Sequence, residues 1–176
     1  TTVGLSQINN SFSGANYLPY AIGLLQAYVK KHLTGSKHFE FLQPVFKRIP
    51  VGEAVDRLEP AGIAGFSLYV WNEQISLEII RRLKKRNSKI HIICGGPQVP
   101  DQAELFLRQN PEIDIAVHGE GERTFLELLK NFPSKEINQI PGTSRIDDSG
   151  KFFNNPKADR IKDLSIIPSP YLSGEF

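Results

Sequence analysis

Short apolar runs of strand length alternate with stretches whose apolar residues recur every three or four positions, and the alternation holds from the first residues to about residue 131. A chain patterned this way folds as a parallel sheet wrapped by helices. The strand runs are Val3-Gly4-Leu5, then Phe39 to Leu42 with Val45-Phe46 beyond Pro44, then Ile63 to Val70, Ile90 to Cys94, and Ile113 to Val117. Between them, Leu18, Ile22, Leu25 and Val29 mark one helix face, and a weaker helix begins near Pro50. The clearest helix is capped at Asn72, buries Ile75, Ile79, Ile80 and Leu83, and carries Glu73 in its first turn. Its last turns hold Arg81, Arg82, Lys84, Lys85 and Arg86, which complement the helix dipole. Two more helices are predicted, one over about Pro100 to Gln109 and one marked by Phe125, Leu128 and Leu129. An open parallel sheet of about five strands follows.

Composition narrows the classes of function. With 176 residues, 40% of them hydrophobic, the chain can bury a full core. Lys and Arg number 21 against 19 Asp and Glu, so no basic excess marks a nucleic-acid binder. The basic turns of the Asn72 helix, interleaved with apolar positions and Glu78, read as a solvated surface. No apolar run approaches the roughly 20 residues that a bilayer span needs, and no signal-peptide pattern is present. Cys94 is the single cysteine, so this chain forms no internal disulfide and no cysteine-built cluster, which fits a reducing, cytoplasmic setting.

Beyond Asn131 the texture changes. Thr143 to Ile146, a turn over Asp147 to Gly150, and Lys151 to Phe153 read as a β-hairpin. From Pro156 the chain shows no period and no core of its own, as a strap leading to a further domain would. Residues 1–133 are therefore expected to form one domain and 134–176 a hairpin and linker.

In an open parallel sheet, ligands bind beyond the carboxyl ends of the strands. The loops at that edge are Gln7 to Tyr17, Tyr69 to Asn72, Gly95 to Gln98, and His118 to Glu122, all rich in small or polar residues. None carries the glycine patterns that cradle phosphates at a strand-to-helix turn. The Gly119-Glu120-Gly121-Glu122 loop presents carboxylates, which repel phosphate and accept hydrogen bonds from hydroxyls or amides. A flavin- or nucleotide-binding domain is disfavoured on that ground. Cys94, at the end of an apolar strand, reads as a small buried hydrophobe. His32, His38, His91 and His118 are scattered, without metal-ligand spacing. Trp71 either packs in the core or forms a floor under a flat ligand.

Four segments carry a resemblance: Gly65 to Asn72, Gly95-Gly96-Pro97, Asp114 to Glu122, and Pro168-Ser169-Pro170-Tyr171-Leu172. In this order they resemble the cobalamin-binding (B12-binding) domain at the front of B12-dependent radical S-adenosylmethionine (SAM) enzymes. Members of the wider family carry Ser-x-Leu a little under thirty residues before Gly-Gly. Here Ser67 stands 28 residues before Gly95, and Tyr69 replaces the leucine.

The resemblance implies a flavodoxin-like, Rossmann-type fold with the corrin ring over the carboxyl edge of the sheet and the nucleotide tail threaded beside the strands. It implies that Ser67, within the Ser67-Leu68-Tyr69 segment, hydrogen-bonds the dimethylbenzimidazole of the tail. Gly95 and Gly96, followed by Pro97, would leave the tail room. Tyr69, Val70, Trp71 and Asn72 would lie near the lower corrin face, and Gly119, Glu120, Gly121 and Glu122 near the ribose and corrin amides. Relatives such as methionine synthase and the mutases ligate cobalt through Asp-x-His-x-x-Gly after the first strand, whereas Gln7 to Tyr17 holds neither histidine nor aspartate. Base-off cobalamin without a histidine ligand is the implied state. The family's Cys-x-x-x-Cys-x-x-Cys motif, which holds a [4Fe–4S] cluster that cleaves SAM, cannot occur with one cysteine. The implied parent is a methyltransferase-type enzyme whose radical SAM domain lies outside these residues, so this part is not catalytic alone. The competing expectation is a degenerate B12-binding fold that has lost its ligand and serves as a docking or scaffolding module.

Overall fold

In the computed structural model, which describes residues 1–34 and 38–176, one seven-stranded sheet is covered by helices on both faces. The strands are β1 (Thr2–Ser6), β4 (Glu40–Phe41), β5 (Ile63–Ser67), β6 (His91–Gly95), β7 (Ile115–Val117), β8 (Thr143–Ile146) and β9 (Phe152–Asn154), in spatial order β4-β1-β5-β6-β7-β8-β9. The first five of that order are parallel, and β8 and β9 add antiparallel. Counted among the parallel strands alone, the order is 2-1-3-4-5, the flavodoxin-like arrangement. The hairpin read from sequence is present, and it continues the sheet through β7.

Helices α1 (Tyr20–His32) and α5 (Gly121–Asn131) cover one face. The other carries α2 (Val51–Leu58), α3 (Glu73–Arg86) and α4 (Glu104–Gln109). Alternation along the strands feeds the two layers separately. In β5, Ala64 and Phe66 point to the α2/α3 layer while Ile63 points to α1/α5; in β6, Ile92 and Cys94 oppose Ile93 in the same way. The basic turns of α3 are compensated: Arg82 meets Glu78 at 2.7 Å, Lys84 meets Asp114 at 2.8 Å, and Arg86 reaches Asp56 and Glu59.

Several elements differ from the sequence expectation. The strand expected to run to Val70 stops at Ser67, because the Tyr69 N–H turns to the Asn72 side chain. Asn72 does not cap α3 with its side chain. It accepts from Tyr69 N–H at 2.8 Å and donates to the carbonyls of Ile8 and Ser67, whose buried oxygens compete successfully for the amide. The helix expected from Pro100 begins only at Glu104; the chain first closes a turn in which Val99 N–H reaches the Gly96 carbonyl, and Gln98 N–H ties that turn to the Leu68 carbonyl. The loop after β1 contains an unforeseen hairpin, β2 (Ser11–Phe12) with β3 (Ala15–Asn16).

The terminal strap does find a core, borrowed from α1. Ile161 is buried, His32 Nε2 lies 2.9 Å from the Ile166 carbonyl oxygen, and Lys30 meets Glu175 at 2.8 Å. At Gly23 a Cβ would overlap the ring of Phe176, so glycine provides the notch in which the strap ends. Among the described residues no helix is long and apolar enough to cross a membrane.

Candidate functional site

A cavity of about 460 Å³ lies between the sheet and helices α1 and α5, with its mouth at the carboxyl edge of the strands. Its existence follows from side-chain size along one face. On β5 and β6 the residues facing α1/α5 are Ile63, Gly65 and Ser67, then Ile93 and Gly95, so that face is bulky at the base and nearly bare at the rim. Ile22 and Leu25 of α1, Val117 of β7 and Phe125 of α5 supply apolar walls. Gly121 lets the helices approach, because a Cβ there would stand 3.2 Å from Leu25.

The two glycines that end β6 serve different needs. Gly96 has φ +101°, and a Cβ on it would lie 2.6 Å from the Leu68 carbonyl oxygen, so the turn itself demands glycine. At Gly95 the nearest atom to an added Cβ is Val117 Cβ at 3.6 Å, ordinary contact. Among the described residues nothing stands closer than ordinary contact to a Cβ at Gly95. Its absence leaves open space in the cavity.

Of the residues singled out from sequence, Ser67, Tyr69, Gly95, Gly96, Pro97, Gly119, Glu120, Gly121 and Glu122 line this one cavity. Four others do not. Leu68 is fully buried in the α2/α3 layer, Asn72 is buried and bonded to backbone, Val70 is 74% exposed, and Trp71 lies to one side of the cavity. Trp71 is 42% exposed and stacks on Tyr69 with ring centroids 4.6 Å apart, so of its two open roles the core one is excluded. Together these rings wall an adjoining hollow of about 410 Å³, lined also by Gln7, Asn9, Asn10, Tyr17 and Leu18. Gln7 substitutes for the missing cap of α1, its Oε1 accepting from Ala21 N–H at 3.1 Å, and Asn9 ties down the Tyr17 and Leu18 carbonyls.

The acidic loop is partly anchored by the strap, since Glu120 Oε2 accepts from the Ile161 N–H at 3.0 Å. Just before it, His118 Nε2 lies 2.7 Å from Ser144 Oγ, which in turn donates to Asn154 Oδ1. That chain makes Nε2 the donor and leaves the buried Nδ1 as an unpartnered acceptor. Burial pushes the His118 pKa down, with Asp101 acting the other way. Cys94 faces the packed layer, and burial, aided by Asp114, pushes its thiol well up, so it behaves as a small hydrophobe. Among the described residues no cluster of three or more His, Cys, Asp or Glu is placed to hold a metal ion.

Sequence reasoning missed the walls: Ile22, Leu25, Ile93, Val117 and Phe125 look like any core residues. Gly65 offered a signal, since an interior strand glycine marks a close approach, here with Leu5 2.8 Å from where its Cβ would be. A wider cleft of about 820 Å³, lined by Arg108, Asp114, Arg145 and Asp147, sits at the opposite edge of the sheet and carries charges of both signs.

A flavodoxin-like sheet hollowed on one face at its carboxyl edge describes a class of ligand-carrying domains, and the comparisons specify which. The family model of the B12 binding domain matches residues 20–129, and the chain belongs to that family. It is 34% identical over 168 residues to the cobalamin-dependent radical SAM methyltransferase TokK of Streptomyces tokunonensis, covering 93% of this chain and 24% of that protein. It is 32% identical over 168 residues to the 2-(S-pantetheinyl)-carbapenam-3-carboxylate methyltransferase of Streptantibioticus cattleyicolor, again spanning 24% of the relative. Among solved structures, the cobalamin-dependent SAM radical enzyme OxsB with aqua-cobalamin and SAM bound superposes with TM-score 0.75 at 20% identity, over 98% of this chain and 24% of that one. The radical SAM methyltransferase TsrM from Kitasatospora setae superposes with TM-score 0.67 at 18% identity, over 90% of this chain and 30% of that one. The chain thus spans about a quarter of the length of these relatives.

Proposed function

We propose that this chain is the cobalamin-holding domain of a B12-dependent radical SAM methyltransferase, and that it holds the cofactor base-off with no histidine below the cobalt. The observation that carries the reading is the cavity on the α1/α5 face, floored by Gly95 and Ser67 where packing leaves a side chain's space free. A slender nucleotide tail fits such a slot. The Ser67 hydroxyl lines the slot and can hydrogen-bond a ring nitrogen, and the apolar walls of Leu25, Val117 and Phe125 suit a flat aromatic base. Glu120 and Glu122 at the mouth offer acceptors to hydroxyl and amide groups, Gly119 leaves open space beside them, and Gly121 admits Leu25 to the cavity wall.

Beside the slot, the stacked Tyr69 and Trp71 present a flat surface next to Val70, while Asn72 holds their loop through Tyr69, Ile8 and Ser67. The loop after β1 contains no histidine and carries the β2–β3 hairpin. His118, the histidine nearest the mouth, is turned to Ser144. When bound, cobalamin supplies the cobalt centre through which a methyl group is passed. In this reading residues 1–133 carry the cofactor, and residues 134–176 extend the sheet and lead to the radical SAM domain. The [4Fe–4S] cluster and SAM are held in that domain of the same parent chain, in a cytoplasmic enzyme. Hydroxocobalamin mixed with the purified protein and passed through a desalting column tests the assignment by visible absorbance. Retained colour with a base-off spectrum is expected. A colourless eluate from folded protein overturns the reading and favours the ligand-free docking module.

A further inference from the structure

The Tyr69–Trp71 stack is exposed on a loop, yet its rings lie within 14° of parallel, and something must fix the backbone that carries them. Asn72 accounts for the lower end of the loop through Tyr69, Ile8 and Ser67. The Trp71 carbonyl is held separately. Its oxygen accepts from Arg48 Nη2 at 2.7 Å, and the same nitrogen stands 3.5 Å from Asn10 Oδ1. One guanidinium therefore bridges three loops at the carboxyl edge: those after β1 and β5, and the segment that leads into α2.

The anchor for this bridge is rigid. The chain beside β1 is paired through Gln7 N–H to the Val45 carbonyl at 3.1 Å and Asn9 N–H to the Phe46 carbonyl at 2.8 Å, two residues before Arg48. A charge-assisted bond to the Trp71 carbonyl holds the Trp71 backbone where its ring stacks on Tyr69. Both acceptors are met by the two hydrogens of one guanidinium nitrogen, so a lysine ammonium, with three donors on a shorter reach, can replace part of the bridge.

We propose that Arg48 is the positioning residue for the Trp71 platform, holding it beside the cavity, on the adjoining hollow that it walls with Tyr69, so that the ring, and no water or side-chain ligand, faces the bound cofactor. The inference rests on the cobalamin reading for its ligand but can be tested without it, because Trp71 is the only tryptophan in the chain. Removing the latch frees the Trp71 backbone while Tyr69 and Asn72 stay in place. The ring, already 42% exposed, then leaves its stack on Tyr69 and becomes more accessible.

The test uses Arg48→Ala, Arg48→Lys, Trp71→Ala and the Arg48→Ala/Trp71→Ala double variant of the full chain. Without ligand, Arg48→Ala should red-shift the tryptophan emission and raise its acrylamide quenching by about twofold, with circular dichroism unchanged and Arg48→Lys restoring part of the effect. With cobalamin reduced to the Co(II) state, Arg48→Ala should change the paramagnetic resonance toward a water-ligated signature while retention stays within about twofold of wild type. In the Trp71→Ala background the Arg48 substitution should cause no further spectral change. Unchanged emission and quenching in Arg48→Ala overturn the latch, as does an equal cobalt effect with and without Trp71. Wild type that fails to retain cobalamin while the fluorescence changes appear overturns the ligand assignment and leaves the latch standing.

Discussion

The two faces of this sheet are built by alternate residues of the same strands, yet one is solid and the other hollow. Toward α2 and α3, Ala64, Phe66, Ile92, Cys94 and Ala116 form a continuous packed layer with Ile79, Ile80 and Leu83. Toward α1 and α5 the same strands present Gly65, Ser67 and Gly95 near the rim, and a cavity remains. The first face supplies the burial that holds the fold; the second gives up some of it to make a binding slot. Period-two patterning lets one strand serve both needs, because a substitution on one side does not disturb the other.

The contrast yields graded expectations. Phe66→Ala on the solid face should cost about 3–5 kcal/mol of stability, read as a fall in the denaturation midpoint. Gly95→Leu on the hollow face should act the opposite way, abolishing cobalamin retention while preserving wild-type circular dichroism. A destabilised Gly95→Leu protein would mean the slot is closed by packing after all. Gly96→Ala, at φ +101° and against the Leu68 backbone, should instead lower stability by about 1–3 kcal/mol. Ser67→Ala should weaken cobalamin binding by about fivefold, near 1 kcal/mol, with little change in the melting temperature.

The mildest expectation concerns acid. Burial alone would push the Asp114 carboxyl up, but hydrogen bonds from His91, from the Ile92 N–H at 2.7 Å and from Lys84 outweigh it and hold the pKa below its ordinary value. A carboxyl depressed in the folded state stabilises above its unfolded pKa, near 4, and loses that contribution as pH falls through the folded value. Acid titration of Asp114→Asn should therefore show a shallower loss of stability below about pH 4 than wild type.

How much of this could be read from sequence depended on whether a residue's neighbours are near in the chain. The five parallel strands and α3 were legible because Ile63 to Ser67, His91 to Gly95 and the Ile75–Leu83 face carry their period locally. Gly95 and Gly96 looked equivalent, since only the approach of Leu68, from the loop after β5, separates a turn glycine from a slot glycine. The β2–β3 hairpin was illegible because its strands are two residues long and exposed. Arg48 gave no signal, its partners Asn10 and Trp71 lying 38 and 23 positions away. The strap read as coreless because its packing surface, Gly23 to Lys30, belongs to α1.

The claim on which the rest depends is that the hollow face receives the nucleotide tail. Binding of cobalamin and of cobinamide, which keeps the corrin and cobalt but lacks that tail, measured side by side on the wild-type chain, addresses it directly. The account predicts at least tenfold tighter binding of cobalamin, about 1.4 kcal/mol or more. Equal affinities would contradict it.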